Sequence, residues 1–155
     1  MKKTISKLLK GSGRTLSVAE SCTGGRISHL LTLVPGSSEY YLGGVCSYAV
    51  SVKDKVLGVS PSTVDTFGIV SAEVASAMAE GVRGLTGSTY SLATTGWADK
   101  YGDEREPAGT VWMAASGPRG TVTRRFENHG TRRQNIIAFA DAALGLLAEY
   151  ITEEI

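Results

Sequence analysis

Apolar residues recur along this chain in two rhythms that take turns. Leu16 and Val18 keep the every-second-residue spacing of a strand over residues 15–19; from Ile27 the spacing becomes helical, with Leu30, Leu31 and Val34 on one face. That helix is expected over 23–33, ending before Pro35-Gly36. Ahead of it, Ile5, Leu8 and Leu9 share a face of a short helix over 2–10, stopped by Gly11-Ser12-Gly13. Residues 44–50 are apolar at odd and even positions alike, the pattern of a strand buried on both faces in the sheet interior. Ser60-Pro61 offers a cap and a first-turn proline to a short helix closed by Gly68, and Ser71 caps a longer one whose stripe is Val74, Ala75, Met78, Ala79 and Val82.

Further on, residues 90–94 and 109–115 read as strands separated by a polar loop over 98–108. Gly117-Pro118-Arg119-Gly120 then turns the chain into a fifth strand over 121–126, so part of the sheet should be antiparallel. Thr131 and Gln134 fit a capping box, and Ile136, Ile137, Ala140, Leu144 and Leu147 give the last helix a buried stripe. Neither repeat nor linker interrupts the pattern. The elements predict one α/β domain over 1–155, a three-layer α/β/α sandwich with a mixed sheet.

Composition changes this picture little. The 155 residues suffice to bury roughly two thirds of the unfolded surface in one core. Sixteen basic and 15 acidic residues leave a net charge of +1, which draws neither nucleic acid nor a membrane surface. The 19 glycines favour tight turns. Two cysteines, Cys22 and Cys46, make neither a disulfide framework nor a metal set. With no leader pattern and no uninterrupted apolar run of membrane-spanning length, a cytoplasmic location is expected.

The chemistry concentrates where the first strand runs into Ser21-Cys22-Thr23-Gly24-Gly25. A strand–turn–helix junction presents small polar side chains and unpaired backbone N–H groups at one rim of a sheet, and these can hold an anion or a developing oxyanion. Ser21 is either a turn serine that caps the helix or a nucleophile. The second role needs a base. His29 and His129, the chain's two histidines, are both badly placed: one lies along a helix flank and the other precedes the last helix with no acid to orient it. Lysine is the other base once burial lowers its pKa. Lys53 lies just past the strand at 44–50, with Tyr48 near the same end to bond the pair and relay a proton; read locally, Lys53-Asp54-Lys55 is a solvated helix start. Cys22 is a second possible nucleophile or a small buried residue. Arg119, Arg124, Arg125, Arg132 and Arg133 form the one basic concentration and read as a solvated hairpin and helix start.

Several short motifs follow one another in order: Ala19-Glu20-Ser21-Cys22-Thr23-Gly24-Gly25, Val34-Pro35-Gly36-Ser37-Ser38, Gly43-Gly44-Val45, Tyr48 with Lys53 five residues on, Leu57-Gly58-Val59, Gly68-Ile69-Val70-Ser71 and Gly109-Thr110-Val111-Trp112. In that combination the chain resembles the CinA C-terminal domain family, the nicotinamide mononucleotide deamidases, over nearly its whole length. The resemblance implies hydrolysis of the carboxamide of nicotinamide mononucleotide to nicotinate mononucleotide and ammonia. It gives Ser21 the role of nucleophile, Lys53 that of base and Tyr48 that of assistant, without metal or other cofactor, in a homo-oligomer such as a two-fold dimer. Backbone around Cys22, Thr23, Gly24, Gly25, Thr95 and Gly96 is then expected to hold the oxyanion and the nucleotide.

Two departures stand out. Ala49-Val50 follows Tyr48 where the family usually has serine and asparagine, and Gly96-Trp97-Ala98-Asp99-Lys100 replaces a glycine-rich loop. Asp99, Asp103, Glu104 and Glu106 outnumber Lys100 and Arg105 there, a poor surrounding for a phosphate. The alternatives are a catalytically weakened relative that binds a nucleotide or an assembly partner, and a Ser-Lys hydrolase of another amide.

Overall fold

The computed structural model describes residues 2–154; Met1 and Ile155 lie outside the described residues. Helix α1 (Lys2–Leu9) leads into β1 (Leu16–Glu20), a tight turn, and α2 (Arg26–Thr32). A single 3-10 turn (Ser37–Glu39) precedes β2 (Tyr41–Cys46), followed by α3 (Val50–Leu57), α4 (Pro61–Phe67) and α5 (Ala72–Thr86). The chain continues through β3 (Tyr90–Gly96), the hairpin of β4 (Thr110–Gly117) and β5 (Gly120–Glu127), and the long α6 (Arg132–Glu154).

The five strands form one mixed sheet in the order β2-β1-β3-β4-β5. β1 runs parallel to both β2 and β3, while β3, β4 and β5 alternate in direction. Period-two alternation sorts side chains between two cores. On one face Leu16 and Val18 of β1, Tyr90 and Leu92 of β3, and Val111 and Met113 of β4 pack with α1, α2 and α6. On the other, Ala19, Ala93 and Ala114 meet the Val74, Ala75, Met78, Ala79 and Val82 stripe of α5. The sandwich is therefore three-layered, with helices on both faces.

The helix starts follow the local chemistry. The Ser60 hydroxyl accepts from Thr63 N–H at 3.1 Å and the Ser71 hydroxyl from Val74 N–H at 3.2 Å. Thr131 and Gln134 cap reciprocally, the Gln134 N–H donating to Thr131 Oγ1 and the Thr131 N–H to Gln134 Oε1. Helix α6 is long and apolar enough to cross a membrane by length and composition, yet Phe139, Ala140, Ala143, Leu144, Leu147 and Ile151 are buried in the core. Helices α3 and α5 approach very closely: a Cβ on Gly81 would fall 2.0 Å from the Leu57 carbonyl oxygen, so only glycine lets α3 dock there.

The second strand departs from the sequence expectation. It spans Tyr41–Cys46 instead of 44–50, and it lies at the sheet edge, its residues alternating half-buried and exposed. The apolar run is split because Ala49 already caps α3. Carbonyls of the intervening residues Ser47 and Tyr48 are taken by the Lys53 ammonium, at 2.6 and 3.1 Å. Helix α2 is likewise shorter than expected, since Gly24 and Gly25 adopt left-handed φ values of 58° and 100° and delay the helix to Arg26.

Candidate active site

Ser21 follows directly on β1, at the carboxyl ends of the parallel strands and beside the point where the chain departs to β2 on one side and β3 on the other. Open α/β sheets form their binding crevices at such a switch point. The Ser21 N–H donates to the Thr94 carbonyl at 3.2 Å and its carbonyl accepts from Gly24 N–H at 3.1 Å, so the residue is tied to β3 and closes its own turn. Among the described residues the N–H groups of Cys22 and Thr23 have no backbone acceptor.

Glu20 is buried immediately before Ser21. Its carboxylate accepts from Thr23 Oγ1 (2.6 Å), Ile27 N–H (2.9 Å), Ser28 N–H (3.0 Å) and Ser28 Oγ (2.8 Å). Thr23 Oγ1 also lies 2.9 Å from Thr94 Oγ1. Four donors compensate the buried carboxylate and lock the turn that carries Ser21. The sequence analysis assigns Glu20 no role; its signal is an acid at a strand end, ahead of a helix with no acid in its first turn.

Lys53 is fully buried on the inner face of α3, contrary to a solvated helix start. Its Nζ lies 3.0 Å from Ser21 Oγ and donates to the Ser47 and Tyr48 carbonyls. Burial lowers the ammonium from its ordinary 10.5 to about 8. Three polar neighbours match the three protons of the charged form. When Nζ is neutral, the two carbonyls retain its two N–H bonds and the lone pair is left for the serine hydroxyl. Burial has the opposite effect on Cys22, pushing its thiol up to about 12, so it remains protonated and inert near neutral pH.

A cleft of about 280 Å³ opens in front of this pair, walled by Ser21 and Cys22, by Thr95 and Gly96 at the end of β3 with Trp97, Ala98 and Asp99 after it, and by Tyr48 and Arg132. Of the sequence-predicted binding residues, Cys22, Thr95 and Gly96 line it. Thr23, Gly24 and Gly25 do not; they build the turn behind it. Tyr48, 63% exposed, faces the cleft, and its hydroxyl accepts from Arg132 Nη2 at 2.9 Å, in place of the expected bond to the serine–lysine pair. The backbone of Tyr48, through its carbonyl, is what touches Lys53.

Arg132 was grouped with solvated arginines in the sequence; it stands in the cleft wall at the start of α6, 3.4 Å from Asp99 Oδ2. The buried amide of Asn135, one turn on, fixes this wall. It donates to the Ala98 carbonyl at 2.7 Å and accepts from Gly130 N–H and Asn128 Nδ2, both at 2.9 Å.

An α/β/α domain with a serine and a buried lysine in contact at its parallel strand ends defines the class. Residues 1–151 match the CinA C-terminal domain, and the chain belongs to that family. It is 40% identical over 151 residues to a putative competence-damage inducible protein of Desulforamulus reducens, covering 97% of this chain and 37% of that protein. A CinA-like protein of Desulfosudis oleivorans is 46% identical over 148 residues, with coverages of 92% and 35%. The chain thus spans little more than a third of the length of these relatives. Among solved structures, it is similar to the competence damage-inducible protein A (ComA) of Klebsiella pneumoniae, with a TM-score of 0.93, 30% identity and coverage of 97% of this chain and 94% of that one. The competence/damage inducible protein CihA of Agrobacterium tumefaciens gives 0.90 and 32%, with coverages of 94% and 90%.

Proposed function

We propose that this domain is an amidohydrolase acting through Ser21 and Lys53 on the carboxamide of an N-substituted nicotinamide, the reaction that the family resemblance implies being nicotinamide mononucleotide to nicotinate mononucleotide and ammonia. The observation that carries the reading is the 3.0 Å contact between Ser21 Oγ and a fully buried lysine whose other two N–H bonds end on carbonyls. Neutral Lys53 accepts the hydroxyl proton as Ser21 Oγ attacks the carboxamide carbon. The oxyanion of the tetrahedral intermediate faces the Cys22 N–H group at the turn. Lys53, now charged, returns the proton to the departing ammonia. Water then hydrolyses the acyl-serine, with Lys53 as base once more, releasing the carboxylic acid.

The Tyr48 hydroxyl and Arg132 belong to the binding wall in this scheme, and the reaction takes place in the cytoplasm. Ammonia release from a panel of nicotinamide carboxamides tests it. Ser21→Ala and Lys53→Ala should each remove most turnover, and the double variant should be little worse than either, as for groups that act as a unit. Absence of ammonia from every carboxamide, with the wild-type fold intact, would move the domain to the class of binding or assembly modules.

A further inference from the structure

The charged side chains lining the cleft are two, Asp99 and Arg132, and they face each other. Arg132 Nη1 lies 3.4 Å from Asp99 Oδ2, and its Nη2 donates to the Tyr48 hydroxyl at 2.9 Å. The guanidinium that would hold a ligand phosphate is thus already engaged on two of its nitrogens. Neighbouring cations give no substitute. Lys100 Nζ sits over the Tyr101 ring at 5.5 Å from its centre, outside the cleft lining, and Arg105 is laid across Gly68 and donates to the Asp65 carbonyl at 3.4 Å. Lys53 lies beneath Ser21 and is neutral in the reactive form. Beside the small residues around Ser21 and Thr95, the remaining wall is aromatic or apolar: Tyr48, Trp97 and Tyr101 with Ile69 and Val70.

We infer that Asp99 is a specificity-determining residue, and that it turns the cleft away from phosphorylated carboxamides toward unphosphorylated N-substituted pyridinium carboxamides. This inference rests on the amidohydrolase reading and narrows its substrate. A phosphate monoester carries close to two negative charges at neutral pH. To reach Arg132 it must displace the Asp99 carboxylate and remain within about 6 Å of it; even with the full screening of water, that repulsion amounts to roughly tenfold in affinity. A pyridinium without the phosphate has no such conflict, because its positive ring suits both a carboxylate and the faces of Tyr48, Trp97 and Tyr101.

Nicotinamide riboside and nicotinamide mononucleotide differ in the phosphate alone and form the test pair. Ammonia release should give the riboside a kcat/KM at least about tenfold above that of the mononucleotide. In Asp99→Asn that ratio should fall by about tenfold or more, and raising the salt concentration should lower it in the wild type but not in the variant. A wild-type preference for the mononucleotide, or a ratio unmoved in Asp99→Asn, overturns the inference. If neither compound releases ammonia, the amidohydrolase reading fails, and the ratio of the two dissociation constants, measured by calorimetry on the same two proteins, decides the inference about Asp99 by the same criterion.

Discussion

Replacing Lys53 with methionine should remove a pH dependence from folding itself. The folded ammonium is lowered to about 8 from 10.5 by burial, so between those values the unfolded chain binds more protons than the folded one, and stability rises with pH. At about 1.4 kcal/mol per pH unit, the full span amounts to about 3 kcal/mol, of which about 2 kcal/mol falls between pH 7 and pH 9.5. Other groups bend the curve the opposite way. Burial raises Cys22, Tyr41, Cys46 and Tyr90, which weakens the fold as pH climbs past their unfolded values. The informative quantity is therefore the wild-type stability minus that of Lys53→Met, in which those contributions cancel. Methionine also strands the Ser47 and Tyr48 carbonyls, but that loss is nearly independent of pH and shifts the difference without tilting it. Urea unfolding at intervals from about pH 7 to pH 9.5 measures it, and the difference should grow by about 2 kcal/mol in favour of the wild type. Parallel curves would refute the claim that the Lys53 charge is confined in a poorly solvated site.

The same group should govern the rate. With a base that titrates near 8, kcat/KM should rise about tenfold per pH unit below that value and level off above it; a flat profile over this range would exclude Lys53 as the base. Truncating the buried amide in Asn135→Ala removes partners from the Ala98 carbonyl and the Gly130 N–H and should lower stability by about 2 kcal/mol, measured by urea unfolding. The chain is expected to form a homodimer with two-fold symmetry, and light scattering at micromolar concentration that reports a monomer would refute this.

The parts of the fold that were legible in the sequence are those settled within a few residues. Ser60, Ser71 and the Thr131–Gln134 pair each cap a helix with atoms no more than three positions away, and the Gly117–Gly120 turn joins two strands paired directly across it. The stripes of α5 and α6 were readable because their period is fixed by helix geometry. Long-range placement was less so. Lys53 in its sequence neighbourhood looks like any charged helix start; it is buried because Ser21, 32 positions earlier, and the Ser47 and Tyr48 carbonyls receive its protons. The pairing of Ser21 with Lys53 is therefore raised in the sequence only as an alternative once both histidines are set aside, and it is the family resemblance, not periodicity, that assigns it. Arg132 was hidden among other arginines, since its partners Tyr48 and Asp99 are 84 and 33 positions distant. The Tyr48 hydroxyl was misplaced for the same reason: spacing puts a tyrosine near the site but does not say which way it turns.

The change of strand direction at β3 divides the domain's labour. Ser21 and Lys53 are supplied by the parallel side, from the end of β1 and the helix after β2, while Trp97, Asp99 and Arg132 come from the segments that lead into and out of the antiparallel hairpin. A sequence change between Trp97 and Gly109 can thus reshape what enters the cleft while leaving the β1 turn and α3 untouched. Such a domain is a natural starting scaffold for laboratory evolution: randomising that one loop explores new cleft shapes while the serine, its lysine and the glutamate that braces the serine turn stay constant.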